Sequence, residues 1–161
     1  MAVDYFLKID GIAGESVDVK HKNEIQLEAF TWGAMNDPGP GMGFGGGGGA
    51  GKVRLQDFSF TMRVNKASPK LFLACAKGQH LKLATFTARR AGKAQQEFLV
   101  YKFTDVLVSS YQTSGTDDVI PLDQISIAFG KVEMEYKAQK ADGSLDAGIS
   151  AGWDVAQNKP A

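Results

Sequence analysis

At 161 residues the chain has the size of a single domain and can bury a core without disulfide or metal staples. Eighteen basic side chains balance eighteen acidic ones, so the formal charge is zero, and the strongly basic signature of a nucleic-acid or anionic-membrane partner is absent. The lone Cys75 excludes an intramolecular disulfide framework, and no apolar run approaches membrane-spanning length; the opening MAVDYFLKIDG lacks the regions of a secretory signal, so folding in the cytoplasm is expected.

Taken along the chain, DYFLKI predicts a short opening strand, and Gly11 to Glu15 a turn. NEIQLEAFTW sets Ile25, Leu27 and Ala29 against Glu24, Gln26 and Glu28, the alternation of a half-buried strand. Residues 36–51 follow, nine of the sixteen being glycine, with Pro38 and Pro40 near the start. Such a segment is too long for a tight hairpin and too poor in side chains to pack, so an extended loop is expected.

That loop ends in GGGGGAGKV, residues 45–53, which invites comparison with a phosphate-binding loop. Gly46, Gly51 and Lys52 meet the glycine and lysine positions of that motif, but Val53 stands where a magnesium-binding hydroxyl is needed. The following VRLQDFSFTMRV alternates Phe58, Phe60, Met62 and Val64 with polar residues, which predicts a strand where the motif requires a helix. A flexible loop is the better reading, and no nucleotide is expected.

Next comes the one convincing helix, with Ser68 as expected N-cap, Pro69 at the first helical position, KLFLACAK as its body and Gly78 past its end. Leu71, Ala74 and Cys75 share a face, away from Lys70 and Lys77, so the helix should pack on the outside of a sheet. Three further strand regions are LKLATFTARR, QEFLVYKFTDVLVSSY and DQISIAFGKVEMEY, the first two joined by a turn at Ala91-Gly92-Lys93. In the last, Ile125, Ile127 and Phe129 occupy odd positions while Val132, Met134 and Tyr136 occupy even ones, so the buried face should swap at Gly130, as at a bulge or barrel corner. Long strands with a corner and one helix predict a mainly β fold, a small barrel of two packed sheets.

The sequence offers no catalytic constellation. Gly148-Ile149-Ser150-Ala151-Gly152 matches a nucleophile-elbow spacing, but neither His21 nor His80 follows Ser150. Two histidines and one cysteine offer no zinc or Cys-His spacing; His21 and His80 read as surface or interface residues, and Cys75 as an inert packing residue. Asp117-Asp118 reads as a solvated turn. No enzyme, cofactor or metal is expected.

Together, MAVDYFLKIDGIAGES, EIQLEAFTWG, GGGGGAGKV, QDFSFT, SPKLFLACAKGQH, VLVSS, FGKVEMEY, QKADGSLDAG and GWDV, in this order, resemble the haemolysin-coregulated protein (Hcp) family, the tube protein of type VI secretion. The resemblance runs over essentially the whole chain and implies one domain, residues 1–161, with residues 139–161 as a C-terminal tail. It also implies a phage tail-tube-like barrel with a flanking helix, closing into hexameric rings that stack into a tube. Implied partners are further copies of the chain, a tip spike protein, a contractile sheath and effector proteins carried in the lumen, with no nucleic acid and no membrane insertion. Secretion would occur through the type VI system without a signal peptide.

Two sites are expected on that basis. Thr31 interrupts an apolar odd face just where Phe30 and Trp32 take over the even one, so it should leave the core and face the lumen. The loop of residues 36–51 should reach toward a neighbouring subunit or ring, with Met42 and Phe44 as apolar anchors and Gly46, Gly47, Gly48 and Lys52 in the contact. The alternative is a monomeric β-barrel that binds a small molecule beneath a Gly-rich lid.

Overall fold

Wherever apolar and polar residues alternate, the chain runs as strand. The computed structural model describes residues 2–36, 52–91 and 96–161. Among them lie β1 (Val3–Ile9), β2 (Ile25–Leu27), β3 (Ala29–Thr31), β4 (Ala34–Asn36), β5 (Val53–Leu55), β6 (Phe58–Arg63), α1 (Ser68–Lys77), β7 (His80–Arg90), β8 (Gln96–Ser114), β9 (Leu122–Tyr136), β10 (Ile149–Asp154) and β11 (Lys159–Pro160).

All ladders are antiparallel. The path β2–β1–β7–β8–β9 forks at β9, whose residues 122–127 pair with β6, which in turn pairs with β3, while residues 131–136 pair with β10 and then β11. β4 and β5 form a separate two-stranded sheet. As expected, the fold is mainly β, with two sheets and one helix among the described residues; it differs in one detail, since no continuous ladder closes the main sheet into a barrel there. NEIQLEAFTW is not one strand: it breaks at Glu28 into β2 and β3, and the Glu28 N–H donates to the Thr61 carbonyl at 2.8 Å. Both Glu28 and Ala29 are exposed, and the inward set passes from Ile25 and Leu27 to Phe30 and Trp32. VRLQDFSFTMRV likewise divides into β5 and β6.

Phe30, Phe58, Phe86, Tyr101 and Phe103 fill the space between the layers, with ring centroids 4.4 Å apart for Phe30–Phe86 and 5.0 Å for Phe58–Phe103. Such tilted pairs add about 0.5–1.5 kcal/mol each beyond their burial. Burial also pushes the Tyr101 phenol up from its ordinary pKa.

The face swap expected at Gly130 is present and extends across three strands. The rows Leu81–Val106–Phe129 and Leu83–Thr104–Lys131 are paired, and the ladder skips Lys82, Asp105 and Gly130 between them. Asp105 takes a left-handed backbone at φ 55, and its carboxylate bonds His80 Nδ1 at 2.8 Å. The side chain of Asp105 lies 3.4 Å from where a Gly130 Cβ would stand. Beyond this crease Val132 is buried, but Met134 and Tyr136 are 39% and 41% exposed, because the sheet continues past the end of the core.

α1 packs on β8. Its N-cap is Ala67 rather than Ser68, and no side chain caps it. Ser68 sits inside the first turn and donates its hydroxyl to the fully buried Asp123 at 2.6 Å. Gly78 ends the helix in a left-handed conformation, φ 63, with its N–H directed back to the last turn.

Candidate functional site

The fork at β9 lays β3, β6, the first half of β9 and the end of β8 side by side, with one face on the core and the other turned away from it. Pairing aligns the outward residues in two rows, Thr31–Ser59–Ser126–Ser110 and Ala29–Thr61–Gln124–Gln112. Every member is uncharged and short or amide-bearing, while the intervening Phe30, Phe60 and Ile125 point inward. Alternation of period two thus makes one side of these strands apolar and the other hydroxylic.

These rows floor a shallow hollow of about 270 Å³. Ser59 and Ser126 share a hydrogen bond across it at 2.8 Å. Charges stand only at its margins: Asp57 accepts the Ser109 hydroxyl at 2.5 Å, and Arg63 pairs with Glu28 at 3.1 Å. No imidazole borders the hollow among the described residues, so its hydroxyls have no general base beside them. Such a surface offers weak, replaceable hydrogen bonds to whatever passes over it and no strong charge to hold it.

Two further polar clusters are structural. Asp123, beneath the opposite face, accepts hydroxyls from Ser68 (2.6 Å), Thr113 (2.6 Å) and Tyr111 (3.1 Å), tying α1, β8 and β9 together. The segment 13–24 is pinned to β1 and β7 by Arg89, which grips Asp18 through two bonds of 2.9 and 2.6 Å and reaches Asp4 at 3.5 Å. The guanidinium holds the Asp18 carboxyl well below the usual carboxylate range. His21, expected as a surface or interface residue, is buried within the single chain at 6% exposure, stacked on Phe6 at 4.3 Å and bonded to Glu24 and Glu97 at 2.8 and 2.7 Å. Sequence reading missed it because Glu97 lies far away in the chain.

Of the residues singled out from sequence, Thr31 is exposed in β3 on the uncharged face. Lys52 is exposed just ahead of β5. Met42, Phe44, Gly46, Gly47 and Gly48 lie outside the described residues. His80 is exposed beside Asp105, Cys75 is half-buried against the core, and Asp117-Asp118 occupies an exposed turn. Ser150 belongs to β10, a strand followed by turn rather than helix, so the elbow spacing is coincidental. Residues 139–161, expected as a tail, contribute β10 and β11 to the main sheet. No group of three or more metal-ligating side chains occurs among the described residues, and no helix there is long and apolar enough to cross a membrane.

The family model described as type VI secretion system effector, Hcp, matches residues 6–136. Protein hcp1 of Pseudomonas aeruginosa is 45% identical over 161 residues, covering 98% of each chain. A solved structure described as a type six secretion system protein superimposes with a TM-score of 0.93 at 33% identity, covering 99% of this chain and 100% of the other. Hcp1 from Salmonella typhimurium gives 0.81 at 34% identity and covers both chains completely.

Proposed function

Since the chain belongs to the Hcp family of type VI secretion proteins, which is not an enzyme family, we propose that it is the structural subunit of a secretion tube. Copies close into hexameric rings, rings stack, and the uncharged face lines the lumen, where effector proteins ride. The protein is made inside the cell and leaves it when a contracting sheath drives the tube outward behind its tip spike.

One observation carries this reading: the two charge-free rows run across four strands whose outer members are unpaired edges. Among the described residues β3 has no partner beyond β6, and β8 has none beyond β9 over residues 108–114. An exposed strand edge is a template for pairing with another chain, so the hydroxylic face can continue from copy to copy around a ring. A lumen of this chemistry suits varied cargo, because neither charge nor a large apolar patch favours one protein strongly. The loop of residues 36–51 belongs to the same proposal as a ring-to-ring contact, on sequence grounds alone.

Thr31→Gln tests it. Light scattering of the wild type should give a mass about six times that of one chain, and the variant should keep that mass while retaining about tenfold less cargo, a difference of about 1.4 kcal/mol. A single-chain mass for the wild type would favour the monomeric binding module instead, and unchanged cargo retention would remove Thr31 from the lumen.

A further inference from the structure

A surface helix ordinarily carries one apolar stripe and one polar face. α1 does not. Leu71 and Ala74 point inward and are buried, yet Pro69, Phe72, Leu73 and Ala76 form a second apolar stripe on the outside, with Phe72 57% and Leu73 47% exposed. Phe72 is held edge-on against Tyr111 at 5.9 Å, so the stripe is preorganised. The stretch of chain that carries it is basic: residues 66–82 hold four lysines and no carboxylate, and the carboxylate of Asp105 is engaged by His80. None of these lysines has an ion-pair partner among the described residues.

The opposite character appears at the far end of the β8–β9 pair. There the inner face of the sheet outruns the core and leaves Met134, Tyr136 and Ile149 exposed, Ile149 at 76%, with Tyr136 and Ile149 directly opposed across the ladder. Of the carboxylates in residues 133–154, Glu133, Glu135 and Asp154 alternate with the inward-facing residues and so lie on the other face of the sheet, which leaves Asp142 and Asp146 as the acids bordering this strip. Asp142 and Asp146, in the turn leading to β10, satisfy their carboxylates locally, on Ser144 and on the Ala147 N–H, without a cation among the described residues.

We propose that these two patches are the two halves of one contact between copies of this chain. The stripe of Phe72 and Leu73 packs on Met134, Tyr136 and Ile149 of the next copy, with Lys70 and Lys77 facing its Asp142 and Asp146. α1 is anchored at Asp123 and the apolar strip begins at Met134, about 35 Å along the strand at roughly 3.3 Å per residue. Different patches at opposite ends make a head-to-tail contact, which closes into a ring when the rotation allows. This inference rests on the tube reading and names the lateral contact that such a ring needs. Apolar surface supplies the affinity, and the opposed charges set partner and register.

Charge exchange tests it in the full-length protein. Leu73→Asp changes an exposed residue, so the thermal melt followed by circular dichroism should stay near that of the wild type while the assembled species disappears in sedimentation velocity. Lys70→Glu with Lys77→Glu, and separately Asp142→Lys with Asp146→Lys, should each weaken assembly at least about tenfold at low salt. Mixing those two charge variants should restore assembly, because each helix then meets a strip of opposite sign around an alternating ring. Assembly of all the variants as in the wild type, or failure of the mixture to recover it, overturns this contact and leaves the tube reading standing. A wild type that is monomeric at every concentration overturns both.

Discussion

Asp18 shows how a single side chain fixes a whole segment. Residues 13–24 contain almost no core-forming side chain beyond Ile12 at their edge, and Val17 and Val19 are 93% and 96% exposed. The fork of Arg89, itself 3% exposed, holds the segment to the body together with His21 on Phe6 and Glu97, while the Lys20 and His21 N–H groups donate to Asp18 at 2.9 and 3.2 Å and shape its turn. The sign of the pH dependence follows from the lowered carboxyl. Its ordinary value is 3.8, and the folded state holds it below that. Its contribution to stability is therefore present in full above pH 3.8 and is lost only as the pH falls from there through the folded value. Asp18→Asn should melt several degrees below the wild type at pH 7, and the gap should narrow steadily on acidification below pH 3.8. A gap that stays constant to pH 2 would mean that the pair does not act through charge. None of this was legible in the sequence, where Asp18 and Arg89 are 71 positions apart and separated by five strands.

At the scale of elements, legibility followed periodicity. β1, β7, β8 and β9 are long enough for the alternation of apolar and polar residues to show, and Pro69 and Gly78 punctuate α1. The interruptions were harder. In β7 neither Lys82 nor Leu83 is a glycine or proline, so nothing local marks the place where that strand changes its inward face. β10 was hidden because Ile149-Ser150-Ala151-Gly152 is mostly small residues, which pack on a neighbouring strand without advertising it. The outward turn of Thr31 was legible because its two aromatic neighbours mark the switch of face, whereas the rows it joins were not, since they assemble from four strands distant in sequence. The glycines also differ by element. A Cβ on Gly14 would lie 2.5 Å from the Glu24 carbonyl oxygen, within the tight pairing that closes the segment 13–24, while one on Gly130 would meet nothing nearer than 3.4 Å. Gly14→Ala should therefore cost about 1–3 kcal/mol in denaturant melts, and Gly130→Ala should change little. Equal losses at both positions would contradict this reading of the crease and the loop.

For the whole molecule the fold assigns its two long central strands to two surfaces at once. If residues 36–51 join rings, as proposed, trimming residues 41–49 should leave the ring mass unchanged and reduce the length of tubes seen by electron microscopy; loss of the ring itself would place the loop in the lateral contact instead. Calorimetry with ATP on either form should register no heat of binding. The crease at Lys82, Asp105 and Gly130 has a mechanical meaning for such an object. β8 and β9 cross it without interruption, so the hydroxylic wall on one side and the β10-bearing sheet on the other are joined by covalent backbone rather than by hydrogen bonds alone. A thrust delivered to the outer body would reach the wall as tension and compression along two chains, and the ladder between them would carry only shear. In the proposed tube the corner would act as a brace, and the part of the subunit that is pushed need not be the part that touches the cargo.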